Sequence, residues 1–214
     1  MISKRIQDIW LSIFPLKFRY RILKKKSQKY SEFKLILSKS GAPHEYKQYI
    51  IRKYKDFNQS KVLIETGTYL GHMIDAQLLD FHKIFSIEVD EKLSKRAKIK
   101  YRNFKHIEII HGDSAIKIDY LLRENDFKSN IIFWLDGHYS GGITGKGQKE
   151  CPIVEEIESI LKLRKKFNDI ILIDDARCFD GTNSYPTIQE IKNQIKNYRS
   201  NFDLKVENDI IIII

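Results

Sequence analysis

Cysteine is nearly absent from the 214 residues: Cys151 and Cys178 are the two. That number excludes a disulfide framework and a four-thiolate zinc site, and the spacing excludes a CxxC pair. A reducing compartment, the cytoplasm, is the expectation. Four prolines and ten glycines exclude collagen-like and Pro/Gly-rich low-complexity chains. No run of 18 apolar residues occurs, so no transmembrane helix is expected. The start, Met1 to Ile13, is interrupted by Lys4, Arg5, Gln7 and Asp8, and no small-residue cleavage site follows, which argues against a secretory signal. No internal repeat of fixed period is found. Against these absences stands a 42% hydrophobic, 12% aromatic composition, spread along the chain and sufficient for one well-cored domain with an appendage.

The net charge of +10 is unevenly placed. Residues 1–60 hold 15 Lys/Arg against 4 Asp/Glu, whereas residues 61–214 hold 23 against 24. The basic character belongs to an N-terminal arm suited to an anionic partner, attached to a nearly neutral domain. Ile2, Ile6, Ile9, Trp10, Ile13 and Phe14 fall at helical spacing before Pro15, and the basic stretch Lys17 to Lys29 follows. Such an arm suits an anionic membrane surface; packing of its apolar face on the domain is the alternative. Tyr30–Leu37 and His44–Phe57 both read as helical, separated by Ser40-Gly41-Ala42-Pro43. The organisation expected is a basic helical extension over residues 1–58 and a second unit over 59–214.

Beyond Ser60 five short apolar runs recur, Val62–Ile64, Ile84–Ile87, Ile107–Ile110, Ile131–Leu135 and Ile170–Ile173, each followed by a loop and a helix-like segment. Unalternating β-rich runs read as strands covered on both faces, so a doubly wound, mostly parallel α/β sheet is expected. Thr187–Tyr198 reads as a helix. Phe202–Val206 and Ile210–Ile214 read as a closing antiparallel hairpin turning at Glu207-Asn208-Asp209. Lys92–Arg102 and Lys162–Lys166 are expected on solvated helix faces.

In such sheets ligands lie outside the carboxyl ends of the strands, and here each strand is followed by a carboxylate. Strand one ends Glu65-Thr66-Gly67-Thr68-Tyr69-Leu70-Gly71, where glycine allows a sharp turn and close backbone approach. Strand two ends at Glu88, about 20 residues on, the place of an acid that binds ribose hydroxyls. Strand three ends Gly112-Asp113-Ser114, where Asp113 also suits a helix N-cap.

Together these residues resemble the class I S-adenosylmethionine-dependent methyltransferases over about residues 60–214. The resemblance implies a Rossmann-like sheet, the methionine part of the cofactor held at Glu65, Gly67, Thr68, Tyr69 and Gly71, the ribose at Glu88, and the adenine amine at Asp113 beside Ser114. Tyr69 stands where that family has a third glycine. The rival reading, a nicotinamide dehydrogenase, calls for Gly-x-Gly-x-x-Gly, which Gly67–Gly71 does not provide.

Strand four ends Leu135-Asp136-Gly137-His138-Tyr139 and strand five ends Ile173-Asp174-Asp175-Ala176-Arg177. Adjacent strand ends lie about 5 Å apart, so Asp136, Asp174 and Asp175 share one region, where three carboxylates repel one another unless a cation sits among them. This part resembles the macrocin-type metal-dependent O-methyltransferases, which implies Mg2+ at Asp136, Asp174 and Asp175; pairing of an aspartate with Arg177 is the alternative. Asp136 is also placed among the cofactor-binding and catalytic residues, and His138 is the expected general base, with Tyr139 positioning the acceptor. The glycine-rich Ser140–Lys149 reads as a lid, without the spacing of a P-loop. The expected activity is methylation of a sugar, glycan or other small hydroxylated acceptor. A nucleic-acid methyltransferase is second, weakened by the absence of an Asn/Asp-Pro-Pro-aromatic motif at strand four. A catalytically inactive membrane- or RNA-binding module is third. The oligomeric state is open.

Overall fold

The computed structural model describes residues 14–32, 41–137 and 151–214. All but Phe14 of the helix expected over Ile2–Phe14, most of Tyr30–Leu37, His138, Tyr139 and the glycine-rich segment to Lys149 lie outside the described residues. The elements run α1 (Leu16–Gln28), α2 (His44–Asn58), β1 (Val62–Thr66), α3 (His72–Gln77), β2 (Lys83–Glu88), α4 (Glu91–Tyr101), β3 (Ile107–His111), α5 (Ser114–Glu124), β4 (Ile131–Leu135), α6 (Ile153–Leu163), β5 (Ile170–Ile173), α7 (Ile188–Lys196), β6 (Leu204–Glu207) and β7 (Ile210–Ile213).

The strands form one seven-stranded sheet in the order β3-β2-β1-β4-β5-β7-β6. The first five are mutually parallel; β7 runs antiparallel to both β5 and β6. The five apolar runs and the closing hairpin read from the sequence are therefore all strands. Their lack of alternation has the expected cause: on β1, Val62 and Ile64 enter the core on one side of the sheet and Leu63 the core on the other. On β7, Ile211 and Ile213 face one side and Ile210 and Ile212 the other. At about 1.5–3 kcal/mol per fully buried aliphatic side chain, covering both faces is the main stabilisation of this sheet.

α5, α6 and α7 supply the core on one face; α1 to α4 supply it on the other. α2 is thus a layer of the sheet, with Tyr46, Ile50, Ile51 and Tyr54 all buried. α7 starts at a capping box, Thr187 with Glu190, and the β6–β7 turn places Asn208 and Asp209 at φ 48° and 69°, the left-handed pair that a two-residue hairpin loop demands. Among the described residues no helix is long and apolar enough to cross a membrane.

The basic stretch after Pro15 is helix α1, and it is docked. Arg19 pairs with buried Asp75 at 2.5 Å, Lys24 with Asp80 at 2.6 Å, and Tyr20 donates to Asp80 at 2.8 Å. Two charges expected on solvated helix faces are also engaged. Lys100 donates to the Leu70 carbonyl and to Asp75, both at 2.9 Å. Arg164 is buried against Asp169 at 2.8 Å, because the chain after α6 folds back and brings the acid to it.

Candidate active site

Sequence order reverses between β1 and β4, which makes the crevice at their carboxyl ends the topological switch point of the sheet. Register fixes what meets there: Thr66 lies opposite Ile87 on one side and Leu135 on the other, and Leu135 lies opposite Ile173. The residues that follow, Gly67, Glu88, Asp136 and Asp174, consequently line one edge. The Gly67 amide donates to the Ile87 carbonyl at 2.9 Å, and the Asp174 amide to the Leu135 carbonyl at 3.1 Å.

Gly67 has φ 83°, and a Cβ there would stand 2.4 Å from the Asp136 carbonyl oxygen, so only glycine lets the first loop lie against the end of β4. Tyr69, in the place of a third glycine, nevertheless adopts the left-handed conformation, φ 47°. Its amide donates to Glu88 Oε2 at 2.7 Å, while Glu88 Oε1 accepts from the Asp90 amide at 2.9 Å. Glu88 thereby joins the loop after β1 to the loop after β2.

Glu65 is buried at the end of β1. Ser86 donates to its Oε1 at 2.6 Å, and Thr68 hydrogen-bonds that same serine. Burial pushes the Glu65 carboxyl up to about 8; the Ser86 hydrogen bond works against this and the charge of Glu88 adds to it. Asp113 caps α5, its Oδ1 accepting from the Ala115 amide at 3.0 Å, so the capping role read as an alternative is present. Glu156, a buried acid of α6 that sequence reading did not single out, is pushed up to about 7 by burial, against the lowering influence of nearby Ser114 and Thr66.

Asp136, Asp174 and Asp175 do come together, and the cation among them is a side chain. Lys47 of α2 hydrogen-bonds Asp174 Oδ2 and lies 3.6 Å from Asp175 Oδ1. Arg177 holds Asp175 at 2.8 Å and also pairs with Asp209. Among the described residues no group of three or more His, Cys, Asp or Glu is arranged to hold a metal ion. Magnesium is the expectation at these aspartates; among the described residues Lys47 and Arg177 are the cations that meet Asp174 and Asp175. Burial, which works against the charge on Lys47, is outweighed by Asp174 and Asp136, and the ammonium is held above its usual range. Burial and the neighbouring Asp174 push the Asp136 carboxyl well up; burial raises Asp174 to about 6 despite Lys47. Asp175 itself has φ 56°, a left-handed conformation uncommon outside glycine.

Lys47, Glu65, Gly67, Tyr69 and Asp136 line a common cavity of about 260 Å³, with His44 and His72 at its wall. The two histidine rings lie 6.0 Å apart. Lys47 and both histidines escaped sequence reading, although a signal existed for the lysine. It stands three, four and seven residues before Ile50, Ile51 and Tyr54, on the apolar stripe of α2. A buried acid, a glycine turn and a polar cavity at the switch point fit an adenosyl amino acid: Glu65 suits its ammonium group and Glu88 its ribose. They do not fit the dehydrogenase alternative, whose fingerprint places a third glycine in this loop.

No family model matches the chain. Its fold is similar to that of an O-methyltransferase from Bacillus cereus solved with S-adenosylhomocysteine, at 14% identity over 91% of this chain and 98% of that one, TM-score 0.57. The O-methyltransferase TomG of Streptomyces achromogenes, solved with S-adenosylmethionine, shares 15% identity over 89% and 87% of the two chains, TM-score 0.52. The methyltransferase PaMTH1 of Podospora anserina, solved with S-adenosylhomocysteine, shares 12% over 100% and 96%, TM-score 0.51. In sequence, 114 residues are 25% identical to a protein of Pyrococcus abyssi named a probable ribosomal RNA small subunit methyltransferase A; the match covers 53% of this chain and 41% of that protein. The chain has the class I S-adenosylmethionine-dependent methyltransferase fold.

Proposed function

We propose that the protein is an S-adenosylmethionine-dependent methyltransferase that acts on a hydroxyl of a small acceptor such as a sugar or glycan. The observation that carries the reading is a cavity at the switch point lined by Glu65, Gly67, Tyr69, Asp136 and Lys47, with Glu88 bonded to the Tyr69 amide. When bound, the cofactor supplies an electrophilic methyl group. Glu65 holds its amino group, Glu88 its ribose, and Asp113 and Ser114 flank its adenine; Gly67, Thr68, Tyr69 and Gly71 form the backbone cradle.

A sugar hydroxyl does not ionise at neutral pH, so a base must take its proton. His138 is the candidate for that task, and Asp136, a carboxyl raised by burial and by Asp174, is the second. The nearly neutral composition of residues 61–214 and the sequence Asp136-Gly137-His138-Tyr139 favour a small acceptor over a nucleic acid. The nucleic-acid reading keeps one specific support, the partial likeness to the Pyrococcus abyssi protein. For the arm, an anionic membrane surface is the proposed partner, and the free thiols of Cys151 and Cys178 suit the cytoplasm.

Calorimetry tests the cofactor. S-adenosylhomocysteine should bind the intact protein, and Glu88→Ala should weaken binding at least tenfold, the equivalent of losing a charge-assisted hydrogen bond of about 1.5–3 kcal/mol. Binding of NAD in its place would end this reading. Once an acceptor is found, His138→Ala should cost about 10² to 10⁴ in rate; a rate within a few-fold of the parent would leave Asp136 as the base.

A further inference from the structure

Lys47 sits on the inward stripe of α2, among side chains that are 0–4% exposed. Burying a lysine there is costly unless its ammonium meets an acid. Its stem carries the charge out of the helix layer to the strand ends, where Asp174 accepts one of its three N–H donors. The lysine side chain is 16% exposed and that of Asp174 1%. Asp175 Oδ1 lies 3.6 Å from the ammonium and also accepts from Arg177 at 2.8 Å. Lys47 and Asp136 share the wall of the cavity that Glu65 lines, so the ammonium stands between the acid pair of β5 and the place of the reacting groups.

A divalent ion among these aspartates would need several carboxylate oxygens at about 2.0–2.6 Å. Asp174 and, at 3.6 Å, Asp175 meet instead a nitrogen delivered by the segment before the sheet. We propose that Lys47 is the resident cation of the acceptor site, standing where a divalent metal would otherwise sit among Asp136, Asp174 and Asp175, so that the protein handles its acceptor without a metal. The acceptor's identity as a hydroxyl rests on the methyltransferase reading; the cation assignment does not.

The chemistry asked of Lys47 is that of a fixed positive charge. With one donor spent on Asp174, another can bond an acceptor oxygen in the cavity and hold the negative charge that develops there while the hydroxyl proton passes to a carboxylate such as Asp136. A metal does the same by Lewis acidity, but a lysine on a packed helix needs no loading. The segment before β1, which composition set apart as an appendage, thereby contributes a residue to the centre.

Titration with Mn2+, followed by electron paramagnetic resonance, tests the assignment without turnover. The intact protein should bind no Mn2+ at this site below millimolar concentration. Lys47→Met, which leaves the three acids without their cation, should bind one ion per chain at least tenfold more tightly than the parent, and adding Asp174→Asn should abolish that gain. Lys47→Arg should behave as the parent. Submillimolar binding by the intact protein that is lost in Asp174→Asn would overturn the proposal, as would a folded Lys47→Met with no gain. Circular dichroism establishes folding; should Lys47→Met not fold, the parent titration and its Asp174→Asn control still decide. S-adenosylhomocysteine binding measured on the same samples separates the two claims. A parent that binds neither that ligand nor Mn2+ refutes the methyltransferase reading and leaves the cation assignment standing.

Discussion

At Glu65, burial prepares the chemistry of binding. The carboxyl is held up to about 8, first by burial, with Ser86 opposing and Glu88 adding to the shift, so at pH 7 the free protein carries it protonated. An ammonium group beside it favours the charged form. S-adenosylhomocysteine binding at pH 7 should accordingly release close to one proton, and affinity should rise as the pH climbs from 6 toward 8, because the fraction of ionised Glu65 grows up to its folded pKa. Calorimetry in phosphate and in Tris, whose ionisation heats differ, reads the proton directly. Glu65→Gln should abolish the difference between buffers, and a parent heat independent of buffer would leave Glu65 a structural acid. The neighbouring Tyr69 shows how a residue rule can be broken locally. Left-handed backbone costs a non-glycine residue roughly 1–2 kcal/mol, and the Tyr69 amide offsets part of this through its 2.7 Å bond to Glu88.

Among the elements, α1 and α2 show a basic segment put to structural use. Asp80 is the acid that joins them: Lys24 and Tyr20 of α1 reach one oxygen and Arg52 of α2 the other, at 2.6, 2.8 and 2.8 Å. Burial works against the charge on Asp80, but Lys24 and Arg52 outweigh it and hold the carboxyl below its usual range. Removing one partner of a buried ion pair costs about 3–5 kcal/mol, since the other charge stays behind. Asp80→Ala should therefore lower the melting temperature and free α1, so that limited trypsin cleaves at Lys24 to Lys26 before cutting within the sheet. Protection equal to the parent would mean that Tyr20 and the apolar face of α1 suffice to hold it. The outward side of α1 keeps Lys17, Arg21 and Lys25 exposed at helical spacing, with Phe18 between them. That side, rather than the whole basic stretch, is what remains to meet an anionic surface.

For the molecule as a whole, the raised carboxyls impose one pH dependence. Glu65, Glu156 and Asp174 stand at about 8, 7 and 6 in the folded protein, above their unfolded values of 4.5, 4.5 and 3.8. Through that window the folded state binds more protons than the unfolded one, so stability falls as pH rises. The melting temperature of the ligand-free protein should be highest near pH 5 and decline toward pH 8. Glu156→Gln, which keeps the shape of the side chain and removes its ionisation, should flatten the decline by about 1 kcal/mol or more, equivalent to roughly 2–4 °C in a chain of this size. A melting temperature constant from pH 5 to 8 would show that these carboxyls are hydrated in solution.

The sequence by itself determined the sheet and the edge on which the site lies. Unbroken apolar runs such as Ile131–Leu135 and Ile170–Ile173 admit little besides strands covered on both faces, and Asn208-Asp209 between Phe202–Val206 and Ile210–Ile214 admits little besides a hairpin turn. These are local patterns, written in neighbouring residues, and so were the acids at the strand ends and the turn at Gly67. The tertiary structure alone decided which charges meet. Lys47 and Asp174 are 127 residues apart, Lys24 and Asp80 are 56, and Lys100 and Asp75, though nearer, belong to different helices. No periodicity links such pairs, because each side chain's partner is set by how a helix packs on the sheet. For that reason the cluster of aspartates was legible as a place in need of positive charge, while the source of that charge, a lysine from the helix before the first strand, was not.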